Sequence, residues 1–253
     1  MAEPLAITNL GACHVARMSA PYYTMDAMRA FAGLLDDHEG PLVVRGYDAN
    51  TFSLGGDLAL LAEGRARRAD VMAYCDACLA IALRMLERWE ARRMTIAVVE
   101  GRAYGGGLEF ATSCPVVLLT PTADLSYPET AYGLFPGMGG PGVFAGLHQI
   151  APAEISAMVH RRVHADASQA AHWPGFVHFR GDGDEAERFA HAAIATGAAA
   201  ALAPDPWRRR PPQLADMLEA DVAAFERRAT SGRIDTATMA RGARAQRHAI
   251  SGR

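Results

Sequence analysis

Lysine is absent from this chain: all 25 basic residues among its 253 are arginine. That removes the chemistries that need a lysine amine, namely a Schiff base with a carbonyl substrate, lysine-bound pyridoxal phosphate and the phosphate-loop lysine. Any phosphate on a ligand has to be met by arginine or by backbone N–H groups. Cysteine is scarce as well. Cys13, Cys75, Cys78 and Cys114 are too few and too scattered for a disulfide framework. Cys75 and Cys78 form a CxxC, but they lie in a helical stripe beside Leu79 and Ala82, with no second ligand pair nearby. Two core-facing thiols are expected there, and no metal site. No apolar run approaches the ~18 residues that would span a bilayer. Residues 1–10 lack the basic-then-apolar pattern of a secretory leader, so a cytoplasmic protein is expected. An excess of basic charge is missing too: the formal net charge is −3 at pH 7, which gives no case for nucleic acid or an anionic membrane as partner.

What is present is an ordinary globular composition, 50% hydrophobic and 21% charged, enough for a sizeable core. The length fits one large domain, or a domain with an appendage. Ala6 to Leu10 and Cys13 to Met18 read as strands of a hairpin around Gly11. Met25 to Leu35 has helical spacing with Thr24 as N-cap. Leu42 to Val44, Thr95 to Val99, Pro115 to Thr120 and Phe176 to Phe179 read as short strands. Val71 to Trp89 carries the clearest helical stripe. Arg65, Arg67 and Arg68 precede it, and are either phosphate contacts or a solvated polar loop. The acidic run Gly181 to Glu185 lacks calcium-loop spacing and reads as a surface turn. A composition break at Ala203 to Pro212 reads as a linker. It divides a core of residues 1–203 from a C-terminal segment, 204–253, with helices expected over 213–228 and 235–246. That segment cannot make a core alone and has to pack on a neighbour or on its own body.

Two glycine-rich turns stand out. Ala97 to Val99 leads through Gly101 into Gly105-Gly106-Gly107, then Leu108-Glu109. Three glycines ahead of a helix strip every Cβ from the turn, so bare N–H groups can approach a ligand closely. Gly55-Gly56 offers the same opportunity, with Asp57 placed to cap the next helix. Either turn could equally be a plain loop, with Glu109 a surface glutamate. A second glutamate, Glu129, follows Pro128 in extended or turn conformation. Gly137, Gly139 and Gly142 fit GxGxxG literally. However, no strand runs into the first of them and no acidic residue stands ~20 positions on, so a dinucleotide site is not expected. Two sets of N–H donors and two carboxylates suit chemistry at the α-carbon of a thioester, where an enolate oxygen needs preorganised donors. Glycoside hydrolysis also uses paired carboxylates, but glycine turns and sparse aromatics fit it less well.

Four stretches, in this order and spacing, resemble the crotonase (enoyl-CoA hydratase/isomerase) superfamily. They are Phe52-Ser53-Leu54-Gly55-Gly56-Asp57-Leu58, Val99-Glu100-Gly101 with Gly105-Gly106-Gly107-Leu108-Glu109, Pro128-Glu129, and Gly133-Leu134-Phe135-Pro136-Gly137-Met138-Gly139-Gly140. The resemblance covers about residues 40–150 and fades beyond, where Gly175-Phe176-Val177 looks like a degraded family motif. It implies an α/β fold, a spiral of ββα repeats followed by helices that often build a homotrimer or dimer of trimers. It also implies an oxyanion hole from the N–H groups of Gly56 and Gly106, with Glu109 activating or receiving water and Glu129 exchanging the α-proton. Leu54, Gly55, Tyr104, Gly105, Pro128, Gly137 and Met138, within the same motifs, would line the substrate. The substrate implied is a 3-hydroxyacyl or 2-enoyl thioester of coenzyme A or acyl carrier protein, with no cofactor beyond the phosphopantetheine of the substrate itself. Leu54 to Leu61 and Leu134 to Gly139 are most similar to the synthases of diffusible signal factor. Those enzymes dehydrate a 3-hydroxyacyl carrier-protein thioester and then hydrolyse it. A thioester or carbon–carbon bond hydrolase of the same fold, or a non-catalytic scaffold binding acyl carriers, are the other readings.

Overall fold

The computed structural model describes residues 3–63, 67–208, 223–224, 227–228 and 236–251. The chain opens with β1 (Leu5–Asn9) and β2 (His14–Met18), an antiparallel pair turning at Gly11, and α1 (Met25–Asp37). Next come β3 (Leu42–Arg45), β4 (Thr51–Ser53), α2 (Leu58–Ala62) and the long α3 (Arg68–Glu90). β5 (Thr95–Val99), β6 (Arg102–Tyr104) and α4 (Gly106–Thr112) follow, then β7 (Val116–Leu119), β8 (Asp124–Ser126) and a 3₁₀ turn, Glu129–Tyr132. After these lie α5 (Gly140–Gly146), α6 (Pro152–Arg161), β9 (Ala165–Asp166), α7 (Ala167–Ala170), β10 (Phe176–His178), α8 (Gly183–Ala195) and α9 (Ala199–Leu202). A 3₁₀ turn at Asp205–Arg208 and a helix α10 (Thr236–Ser251) complete the described elements.

The strands form two sheets, ordered β1-β2-β3-β5-β7-β10 and β4-β6-β8-β9. Each pair β3/β4, β5/β6 and β7/β8 gives its first strand to the larger sheet and its second to the smaller. Every cross-pairing among those first strands, and among those second strands, is parallel. This is the ββα spiral that the resemblance implied. The linking strands β4, β6 and β8 are three residues each, and no sequence periodicity announced them.

The middle strands of the larger sheet are buried on both faces, so they read as unbroken apolar runs. Alternation nonetheless sorts their side chains. Leu42, Val44, Ala97, Val99, Val117 and Leu119 enter the core shared with α1, α3 and α4. Val43, Ile96, Val98, Val116 and Leu118 enter a second core with Trp89, Ala186, Ala190 and Trp207. Thr24 caps α1 as expected, its hydroxyl accepting from Ala27 N–H at 3.1 Å. Cys75 and Cys78 are buried in α3, and the Cys78 thiol is pushed well up by that burial.

Two expectations need revision. The acidic run at Gly181 opens α8 instead of closing a surface turn: Asp182 and Glu185 form a capping box, Asp182 accepting from Glu185 N–H at 2.8 Å. The stretch read as a linker begins as packed structure, because Trp207 is buried in the second core and Arg92 lies over its ring. The helix expected over 213–228 falls largely outside the described residues, whereas the one expected over 235–246 is α10.

Candidate active site

A cavity of about 280 Å³ opens between the two glycine turns, the 3₁₀ turn Glu129–Tyr132 and α10. Leu54, Gly55, Gly56, Tyr104, Gly105, Gly106, Glu109, Pro128, Glu129, Gly137 and Met138 all line it. Every residue singled out in the sequence as catalytic or substrate-contacting therefore reaches one space. Of the arginines considered for phosphate, Arg65 lies outside the described residues. Arg67 is spoken for by Asp70 and Glu63, at 2.7 Å and 3.5 Å.

The turns meet because neither carries side chains at the contact. A Cβ on Gly55, whose φ is +84°, would lie 2.8 Å from Tyr104 O and 3.0 Å from Gly106 N. Gly105, with φ +54°, would drive a Cβ into the Glu129 carboxyl. Both positions combine left-handed backbone with close approach, which only glycine tolerates.

Around the first turn nearly every backbone donor is used. Gly55 N–H donates to Ser53 Oγ at 3.2 Å and Asp57 N–H to Tyr74 Oη at 3.2 Å. Leu58 N–H donates to Gln246 Oε1 at 3.3 Å, and Ala59 and Leu60 N–H donate to the Asp57 carboxylate. Burial holds the Tyr74 phenol well above its usual pKa, so it keeps the proton it donates to Tyr23 O at 2.9 Å. No described residue accepts from Gly56 N–H. At the second turn, Gly105 N–H goes to Ser126 O at 2.9 Å, and Glu109 N–H closes the first helical bond of α4 onto Gly105 O. Gly106 N–H, the first of that helix, has no acceptor among the described residues, as the start of a helix dictates. Two cavity-lining N–H groups are thus left for whatever occupies the space.

The two glutamates sit in opposite surroundings. Glu109 is 2% exposed, and its carboxyl takes N–H donors from Gly137 at 2.9 Å, Met138 at 2.7 Å and Gly140 at 2.8 Å. Three N–H donors on one carboxyl suit its carboxylate form, which is acceptor-only. This is the work of the Gly137 to Gly140 stretch: its small residues let backbone close around the side chain at the start of α5. Glu129 is buried, and its Oε2 has no hydrogen-bond partner among the described residues. Desolvation first, and the Glu109 charge second, push its carboxyl well above the usual range. Of the two carboxyls facing the cavity, Glu109 is thus the one built to carry the charge and Glu129 the one built to keep the proton, the division expected of an acid/base pair.

Sequence reading missed Gln246, Tyr132, Tyr23 and Tyr74, which also line the cavity. None carries a local signal, since each is set by a partner remote in the chain. His160 and His164 stand at HxxxH spacing. The helix that carries His160 stops at Arg161, with Arg162 left-handed, and His164 turns to Asp124 at 2.7 Å. Among the described residues no group of acidic, histidine or cysteine side chains could hold a metal ion, and no helix is long and apolar enough to cross a membrane.

The model of the enoyl-CoA hydratase/isomerase family matches residues 21–178. The chain belongs to that family. Among enoyl-CoA hydratase/isomerase relatives, carnitinyl-CoA dehydratase of Salmonella arizonae is 31% identical over 145 residues, 57% of this chain and 52% of that protein. The chain spans about half the length, or less, of the curated relatives it matches. An enoyl-CoA hydratase/isomerase structure from Mycobacterium paratuberculosis shares the fold over 96% of this chain and 99% of its own, with TM-score 0.79 at 20% identity. Pseudomonas aeruginosa DspI does so over 91% and 84%, with TM-score 0.68 at 25% identity.

Proposed function

We propose that the protein is a hydratase/dehydratase of 2-enoyl and 3-hydroxyacyl thioesters. The observation that carries this reading is the pairing of Glu109, tied by three backbone N–H groups, with Glu129, buried and short of a partner, across one cavity. In the hydration direction the Glu109 carboxylate takes a proton from water as its oxygen adds to the β-carbon. The alkene electrons move through the α-carbon to the thioester oxygen, which Gly56 N–H and Gly106 N–H receive. Glu129 then gives its proton to the α-carbon and the carbonyl re-forms. Proton exchange with solvent then returns Glu109 to the carboxylate and Glu129 to the acid. Dehydration runs the steps in reverse from the opposite proton arrangement, Glu129 taking the α-proton and Glu109 protonating the departing hydroxyl. Removal of one such donor typically costs 10²–10³-fold in rate. The family to which the chain belongs supports thioester chemistry. The motif similarity to signal-factor synthases, over Leu54 to Leu61 and Leu134 to Gly139, supports a carrier-protein thioester as substrate and hydrolysis as a following step.

The test is incubation with 3-hydroxyacyl thioesters of graded chain length, on coenzyme A and on acyl carrier protein, followed by mass spectrometry. Loss of water with the thioester intact is the expected result. Loss of water with release of an unsaturated free acid would add the hydrolytic step. Free 3-hydroxy acid without dehydration, or no reaction on any substrate, would overturn the proposal.

A further inference from the structure

The turn that carries Gly56 is held by a side chain nearly two hundred residues away in the chain. Gln246, on α10, is 4% exposed. Its Nε2 donates to Gly56 O at 2.9 Å and to Leu54 O at 3.4 Å, while its Oε1 accepts from Leu58 N–H at 3.3 Å. Both amide hydrogens and the amide oxygen are therefore committed to one five-residue segment. The helix comes near enough because position 242 lacks a side chain: a Cβ there would lie 2.6 Å from Leu58 Cδ1 and 3.3 Å from Tyr132 Oη.

The consequence follows from peptide geometry. In a trans peptide the C=O and N–H point in opposite directions. Tyr23 N–H holds Gly55 O at 2.8 Å, so the Gly56 N–H of the same peptide is turned away from Tyr23, into the cavity. The next peptide is pinned at both ends, its C=O by Gln246 and its Asp57 N–H by Tyr74. Gly56, with no Cβ to restrict it, is thus fixed by the two peptides that flank it. We infer that Gln246 is a positioning residue for the reaction, its carboxamide setting the direction of the Gly56 N–H towards the substrate oxygen. This rests on the role proposed above for Gly56.

Q246E keeps the size and the acceptor for Leu58 N–H but cannot donate to Leu54 O or Gly56 O. Q246A removes all three bonds. Both are compared with wild type in the full chain, by kcat and KM on the thioester that wild type turns over, and by amide hydrogen exchange at residues 54–58. The expected result is faster exchange at those amides in both variants. It is joined by a fall in kcat of about 10²-fold, the cost of a misplacement near 1 Å, with KM changed less than threefold and an unaltered far-UV spectrum. If Q246A fails to fold, Q246E carries the comparison. A kcat within twofold of wild type in a folded variant overturns the inference, as does a loss confined to KM. Should wild type turn over no thioester, the function proposed above falls. The exchange arm then decides the clamp alone: unchanged protection at 54–58 overturns it, and at least tenfold faster exchange supports it.

Discussion

At the scale of single residues, the contrast between Glu109 and Glu129 sets the experiments. Burial, and then its neighbour's charge, push the Glu129 carboxyl well above the usual range, which favours the protonated form that the hydration direction needs. Hydration kcat is expected to fall as pH rises through that elevated pKa, and the falling limb of the profile should vanish in E129Q. The same shift has a stability consequence. A carboxyl whose folded pKa lies above its unfolded value of 4.5 adds stability that is fully present below pH 4.5 and is lost as pH climbs through the folded pKa. Wild type should thus lose ground to E129Q on going from pH 5 to pH 9, read as the difference in their melting temperatures. The reverse trend would show the group ionised in the folded protein. Glu109→Gln should behave differently. Both substitutions are expected to lower turnover by about 10²–10⁴-fold. Only the Glu109 variant should also melt at lower temperature, because its carboxamide N–H₂ would face the N–H donor of Gly137 or, turned over, those of Met138 and Gly140. Equal melting temperatures for the two variants would contradict that account.

The scale of elements explains what could be read from sequence and what could not. Glycine turns and the carboxylates beside them have local signatures, and all eleven residues drawn from them line the cavity. The buried strands β3, β5 and β7 announce themselves as β-branched runs, and α1 and α3 as helical stripes. The strands β4, β6 and β8 have no such signature. At three residues they are too short for alternation, and they exist because the spiral brings them side by side. Nor could Asp182 be recognised as a cap from its acidic context alone, although the Glu three residues on was the available signal. Arg88 shows how an element can depend on a residue of no evident motif. It is 2% exposed on α3 and donates to Thr95 Oγ1 at 3.1 Å and to the carbonyls of His38 and Gly40 at 2.7 Å each. Desolvation draws its pKa down to about 10. It ties α3 to β5 and to the turn before β3. A lysine keeps the charge but lacks the planar fork, so R88K is expected to cost about 2–3 kcal/mol, or roughly 4–12 °C in melting temperature. A shift under 1 °C would show that a point charge suffices there.

Viewed as a whole molecule, the protein has one set of strands shared between two cores. Cys13 lies in the core with Trp89 and Trp207, while Cys75, Cys78 and Cys114 lie in the core with α1 and α3. All four are buried thiols outside any disulfide. Cys78 also lines the cavity, so a thiol-directed reagent should leave Cys13, Cys75 and Cys114 untouched in the native protein and find all four in denaturant, as located by peptide mass. Reaction of Cys13, Cys75 or Cys114 in native buffer would mark a core that opens locally. Amine-directed reagents find no lysine at all, so they should leave activity untouched.

The clamp of Gln246 on residues 54–58 spans sequence separations of 188 to 192 residues, and this gives the molecule a chronology. During translation, the Gly56 turn and the strand before it emerge long before their anchor exists. The ββα spiral can form its buried sheet while the ribosome is still reading, yet the cavity wall is not closed until Gln246 has been added. A chain released early would be folded in its core and open at its cavity. The cavity wall therefore closes only once Gln246 has been made, when most of the described fold is already in place.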